Sequence, residues 1–184
     1  MQFFNNIDAN AWIQTFGGFI GALLAGGISI FVFRGQVKFD LKKEQNKEIE
    51  KFLKSNLKIC NWLKSAAGSA SEISSAVNNT DLTLKLKIAI LRNEINALSY
   101  CIDVLNQIND DYIPLEYYKD FIEMKAHLDL LNTTANIQLN IYESNNKFVY
   151  TTDLDLMAAK IAEYNELFAK YGNEKEARLH LLWR

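Results

Sequence analysis

The chain has 184 residues, close to half of them apolar, and a formal net charge of −2. That length allows one domain of ordinary size plus a small appendage. A single proline and eight glycines exclude the turn-dense pattern of an all-β fold, and a net charge of −2 predicts no partner by itself. The charge is nonetheless zoned. Residues 1–33 carry one ionisable side chain, Asp8; residues 34–64 carry nine Lys/Arg against four Asp/Glu; residues 65–184 carry eleven against seventeen.

The first predicted element runs from Trp12 to Phe33, WIQTFGGFIGALLAGGISIFVF. It contains no charge, and 22 residues at about 1.5 Å each cross the roughly 30 Å of a bilayer's hydrocarbon core. No basic region precedes the apolar run, which disfavours a cleaved signal peptide. Trp12 suits one interface, and Phe31, Phe33 and Arg34 the other. Lysine and arginine follow the helix and none precedes it. The positive-inside rule then predicts an N-terminus outside and a cytoplasmic chain from Arg34 onward. The expected division is a transmembrane helix over residues 1–34 and a cytoplasmic helical bundle over 35–184, an all-α protein.

Five of the eight glycines lie between Gly17 and Gly27. At about 100° per residue, Gln14, Thr15, Gly18, Gly21, Ala22, Ala25, Gly26 and Ser29 fall in one arc of roughly 140°. Trp12, Phe16, Phe19, Ile20, Leu23, Leu24, Ile30 and Phe31 fill most of the rest. Lipid alone does not demand that asymmetry. Gly17–Gly21, Gly18–Ala22, Ala22–Gly26 and Ala25–Ser29 are small-xxx-small pairs, the spacing that lets membrane helices approach closely. The candidate face for oligomerisation or for lining a pore is therefore Gln14, Thr15, Gly18, Gly21, Ala22, Ala25 and Ser29.

From Val37 to Lys64 charge alternates with Leu41, Ile49, Phe52, Leu53, Leu57, Cys60 and Leu63 near a helical period. Lys38, Lys42, Lys43, Lys47, Lys51, Lys54 and Lys58 can meet anionic lipid, although a solvated helix face explains them as well. The stretch Ala66–Ala76 is small and polar, the composition of close helix packing or of a weakened helix, and a break is expected at Asn78–Asn79. Thr80 or Asp81 then caps a helix through Ile88, Leu91, Ile95, Leu98, Ile102 and Leu105. Its first residues alternate like a strand, but the three-or-four spacing prevails. Asn109–Asp110–Asp111 ends it. Pro114 opens the next helix, with Phe121, Met124, Leu128, Leu131 and Ala135 on one face. Residues 136–150 fit either a continued helix or a small hairpin. Thr152, with Asp155 three positions on, starts a further helix through Met157, Ile161, Tyr164 and Phe168. Gly172 stops it, and Asn173 caps a last short helix.

Groups able to do chemistry are scarce. Cys60 and Cys101 lie inside apolar helical patterns and read as small buried hydrophobes. No cysteine–histidine cluster suggests a metal, and no nucleotide or cofactor motif is present, so the expected cofactor and metal complement is none. His127 and His180 are isolated histidines on helices. Carboxylates such as Asp110, Asp111, Asp153 and Asp155 fall at element ends, where capping accounts for them. Ribonucleases of the HEPN class carry an arginine and a polar residue followed, after four to six residues, by a histidine that moves protons at a ribose hydroxyl. Arg92–Asn93 fits the first half of that pattern. The histidine positions are filled by Ala97, Leu98 and Ser99, while Arg178 and His180, two apart, face different ways. The half-motif is degenerate, and no catalytic residue is expected.

The layout as a whole resembles the small membrane accessory proteins of type VI-B CRISPR loci, which have about this length, one N-terminal transmembrane helix and a HEPN-like helical bundle. The resemblance covers the whole chain as architecture and rests on no specific motif. It implies a ring-shaped pore in the bacterial inner membrane that depolarises the cell and enhances defence by an RNA-guided CRISPR effector acting in the same pathway. The missing histidine implies that the bundle is an assembly scaffold and not a nuclease. The partners so implied are further copies of the chain and the lipid bilayer, with no direct contact to nucleic acid. A membrane-tethered ribonuclease and a membrane-anchored scaffold without a pore are the two other functions the sequence allows.

Overall fold

A computed structural model describes residues 9–146, 148 and 153–182. The protein is all-helical: α1 covers Ala9–Asn78, α2 Leu84–Asn106, α3 Leu115–Glu143 and α4 Leu154–Leu182, with a 3-10 turn at Asp110–Tyr112 between α2 and α3. The chain divides into two compact units, Met1–Asn46 and Lys47–Arg184.

Most of the first unit is the apolar part of α1. Every side chain from Ile13 to Gln45 is exposed, because no other part of the chain covers it. The helix continues without a break through Arg34–Gly35, so the apolar segment and the charged, amphipathic one are a single element. An uncharged helix window this apolar, with none of it buried, is long and apolar enough to cross a membrane.

In the second unit, the C-terminal part of α1 packs with α2, α3 and α4 around one core. Phe52, Ile59, Leu63, Ala66, Ala70 and Ile73 are the contribution of α1, each at most 1 % exposed, and they recur every three or four residues as an amphipathic helix requires. The small stretch Ala66–Ala76 is thus a site of close packing and not a weakened helix: Ser69 and Ser74 are buried with the alanines. In α2 the buried set is Leu91, Ile95, Leu98, Cys101, Ile102 and Leu105. The helical spacing wins over the strand-like alternation, and Leu86 is left exposed. In α3 the expected face of Phe121, Met124, Leu128, Leu131 and Ala135 is buried.

Two local expectations are corrected, the cap of α2 and the role of Gly172, and the choice left open for residues 136–150 is decided as far as Glu143. The cap of α2 is Thr83, whose hydroxyl accepts from the Leu86 N–H at 3.4 Å, and neither Thr80 nor Asp81. The Asn79 side chain takes the Asp81 N–H at 2.8 Å, and the tight turn this makes delays the helix. The hairpin alternative for residues 136–150 gives way to helix as far as Glu143, since Gln138 and Tyr142 are both buried. Asn145, at φ 58°, takes the left-handed conformation that asparagine tolerates. The Gln138 amide then donates to the Phe148 carbonyl at 3.0 Å, holding the emerging chain against the helix. Lys147, Val149 and Tyr150, the rest of that segment, lie outside the described residues, as does Thr152, the expected cap of the next helix. The observed cap of α4 is Asp153, which accepts from Leu156 N at 3.0 Å. Asp155 instead reaches α1, accepting from Asn78 Nδ2 at 2.9 Å and from the Ser74 hydroxyl.

The second correction is Gly172, which does not stop a helix: α4 runs through it to Leu182, with no separate helix capped by Asn173. A Cβ at Gly172 would lie 2.5 Å from Asn56 Nδ2. That amide donates to the Phe168 carbonyl at 2.9 Å, one turn earlier on α4. The glycine therefore makes room for a side chain of α1, a close approach and not a turn.

Candidate functional site

The candidate face is built from one helix. Gly18, Ala22, Ala25 and Ser29 follow each other at steps of four, three and four residues, so they stack along one line of α1, with Gln14, Thr15 and Gly21 beside them. From Gln14 to Ser29 the line is about 24 Å long, most of the thickness of a hydrocarbon core. It ends where bulk returns: Val32 and Phe33, the next residues in that arc, are 51 % and 65 % exposed. Gly17 and Gly27 fall outside the arc on the bulky side. The Ser29 hydroxyl donates to the Ala25 carbonyl at 2.8 Å, an intrahelical bond that satisfies it in an apolar setting.

The five glycines of this segment stand apart from Gly172 in one respect. At Gly17, Gly18, Gly21, Gly26 and Gly27 an added Cβ would meet no atom within 4 Å. Among the described residues no contact accounts for them, and each weakens the helix relative to alanine by about 0.5–1 kcal/mol.

Arg92 and Asn93, the degenerate HEPN-like positions, lie on the surface of α2. The Arg92 guanidinium pairs with Glu143 at 2.6 Å, with the two side chains 63 % and 39 % exposed, and Asn93 bonds its neighbour Glu94 at 2.9 Å. At the positions where a histidine is absent, Leu98 is fully buried and the Ser99 hydroxyl donates to Asn132 at 3.3 Å. Arg92 and His127 are not brought together. Arg92 meets α3 at Glu143, sixteen residues and so about 24 Å along the helix from His127. His127 Nδ1 contacts the Glu123 carbonyl at 2.7 Å and the Tyr164 hydroxyl at 3.3 Å, partners that fix an imidazole within the α3–α4 packing. His180 is exposed in the last turn of α4.

The bundle has a cleft of about 620 Å³ between α1 and the turn preceding α3. Its charged lining, Glu48, Lys51, Asp111 and Lys175, balances in sign, so it selects neither anion nor cation. Lys51 is also placed over the Tyr112 ring at 5.4 Å. Burial raises both thiols, Cys60 and Cys101, which keeps them protonated and unreactive near neutral pH. Among the described residues, no three His, Cys, Asp or Glu side chains are grouped to hold a metal ion.

What the described residues offer is a helix of membrane-spanning length with a small face and a packed bundle. Comparison of the chain with protein-family models, with curated proteins and with solved structures finds no match in any of the three.

Proposed function

We propose that this chain is a self-associating membrane protein whose apolar helices pack through the Gln14–Ser29 face and enclose a pore that depolarises the membrane. The observation that carries the reading is the open space around Gly18, Gly21 and Gly26. Three glycines on the small face of one exposed helix weaken it and gain nothing inside their own chain. In a bilayer they let a neighbouring helix approach to backbone contact, where packing is the main driving force for association. Gln14 and Thr15 belong to the same face and can meet water in a channel, while Phe16, Leu23 and Ile30 face lipid. The bundle holds the subunits together, since one helix per copy buries too little surface to fix a ring.

The setting we propose is the bacterial inner membrane, with the N-terminus outside and the bundle in the cytoplasm, in antiviral defence alongside an RNA-guided CRISPR effector. The orientation is supported by the nine basic residues within 34–64 and the positive-inside rule. The defence role is supported by the likeness of layout to the type VI-B accessory proteins.

Bulky substitutions on the two arcs test the pore. Gly21→Leu and Ala25→Leu should abolish depolarisation, read in cells with a potential-sensitive dye, by blocking assembly or plugging the opening. Leu23→Phe should keep it. Equal depolarisation by all three variants would reject the face as an interface and leave a membrane-anchored scaffold in its place.

A further inference from the structure

We propose that Arg34, Lys38 and Lys42 form a stripe that gathers anionic phospholipid around the base of the span, an inference that rests on residues 12–33 crossing the bilayer. The three residues are four apart on α1, so they share an arc of about 80°. All three are exposed. None takes part in the ion pairs among the described residues, although Asp40 and Glu44 lie in the same stretch. Those two carboxylates fall about 120–160° round the helix from Lys38; Asp40 is three positions from Lys43 and Glu44 three from Lys47, the spacing at which helical neighbours meet. Like charges at this spacing repel along a helix, and no ion pair among the described residues relieves that repulsion.

The position supplies the missing counter-charge. Arg34 follows the last apolar residue directly, and Lys38 and Lys42 lie about 8 and 14 Å beyond Phe33. The headgroup layer is roughly 5–8 Å thick on each side of the hydrocarbon. Helical side chains tilt toward the helix N-terminus, which on α1 is the direction of the span. The long lysine side chains of this stripe therefore lean back toward the headgroups, with their stems along the helix and their ammonium groups at phosphate level. At physiological ionic strength a charge acts over about 8 Å, so all three reach the layer. The partner is a lipid phosphate bearing a net negative charge, such as phosphatidylglycerol, in whichever leaflet surrounds Arg34.

The test uses the full chain reconstituted in phosphatidylcholine vesicles with trace spin-labelled phosphatidylglycerol or phosphatidylcholine. The fraction of motionally restricted label gives the relative association of the two lipids. A preference for phosphatidylglycerol on the order of fivefold is expected at low salt, falling toward one in 1 M salt. The variant R34Q/K38Q/K42Q should bring the ratio near one, and K54Q/K58Q/K64Q, which removes three exposed lysines from the second unit, should leave it unchanged. A ratio of one for the unaltered chain, or an unchanged ratio in the first variant, overturns the proposal. Flotation of the same vesicles separates the two readings. Protein that fails to float overturns the membrane span and this stripe with it. Protein that floats with a ratio of one overturns the stripe alone.

Discussion

Asn56 and Gly172 make a pair whose energetics can be predicted in sign. Alanine is favoured over glycine in a helix by about 1 kcal/mol, so Gly172→Ala should stabilise α4 if nothing opposed it. Asn56 Nδ2 opposes it, since the new Cβ would stand 2.5 Å away and force the amide off the Phe168 carbonyl. The Asn56 oxygen is already buried without a partner among the described residues, and losing the amide bond as well costs about 1–3 kcal/mol. Gly172→Ala should thus destabilise the protein by about 1 kcal/mol in the natural background and stabilise it by a similar amount beside Asn56→Ala. Denaturant unfolding of the four chains of that cycle measures it; additive effects would mean that the two residues do not meet. A second residue-scale effect concerns alkaline pH. Tyr117 and Tyr171 stack with ring centroids 3.9 Å apart. Burial first, then the negative charge of Glu116, pushes Tyr117 up to about 12. Burial, followed by its hydrogen bond to Asp120, moves Tyr171 in the same direction. Both pKa values are raised in the folded state, so their contribution is complete below pH 10 and is lost as pH rises from 10 toward 12. Tyr117→Phe should flatten the fall of the melting temperature over that window. An unchanged alkaline limb in that variant would assign the fall to other groups.

At the scale of elements, how much was legible depended on whether a helix is determined by its own residues or by its neighbours. The apolar part of α1 was legible because an uncharged run of 22 residues has one regular way to satisfy its backbone away from water. The buried faces of α2 and α3 were legible because their apolar residues keep the helical period. Helix ends were less so. Thr80, Asp81 and Thr83 are all competent caps, and the choice fell to the turn in which Asn79 captures the Asp81 N–H. Gly172 looked like a stop because glycine ends helices more often than it accommodates a side chain from another helix, and Asn56 lies 116 positions away in sequence. The alternative of a hairpin over 136–150 arose because Gln138 and Asn140 interrupt the apolar pattern, yet Gln138 is buried and its amide is satisfied by the Phe148 carbonyl. The candidate face was read from residue size and helical spacing, and what the structure adds is the open space at its glycines. Arg92 illustrates the reverse: a residue picked out for chemistry is engaged in an exposed ion pair. Such pairs contribute at most about 1 kcal/mol. Arg92→Ala should therefore lower stability only slightly, and the purified protein, altered or not, should leave single-stranded RNA intact. Cleavage abolished by Arg92→Ala or His127→Ala would restore the ribonuclease reading. Orientation is also a property of one element. In the proposed orientation, which places Arg34 and the lysines after it in the cytoplasm, a reporter fused after Arg184 should be active as a cytoplasmic fusion, and external protease on spheroplasts should spare residues 36–184. A fusion active only outside would reverse the topology.

At the scale of the whole molecule, the proposed pore sets a condition that no single chain can meet. One helix has no lumen, so a pore requires several copies, and the number of copies is set by contacts that a single chain leaves open. Two surfaces are available. The first is the small face of α1, where backbone approach compensates for glycine's weakness as a helix former. The second is the bundle, which carries exposed apolar side chains such as Leu57 and Leu156, at 64 % and 68 % exposure. The proposed ring needs both, the bundle to hold the copies together and the small face to let their spans close on one another, and the small face is the more selective of the two. The full chain, purified in mild detergent and measured by light scattering with the detergent subtracted, should have a protein mass several times its 21.1 kDa. Gly21→Leu should shift that mass downward, and Leu23→Phe should not. A protein mass of one chain at high protein-to-micelle ratio would remove the ring. An unaltered oligomer in Gly21→Leu would transfer assembly to the bundle and leave the span as an anchor. A mass that drops in Gly21→Leu together with depolarisation would tie subunit contact and conduction to the same line of small residues.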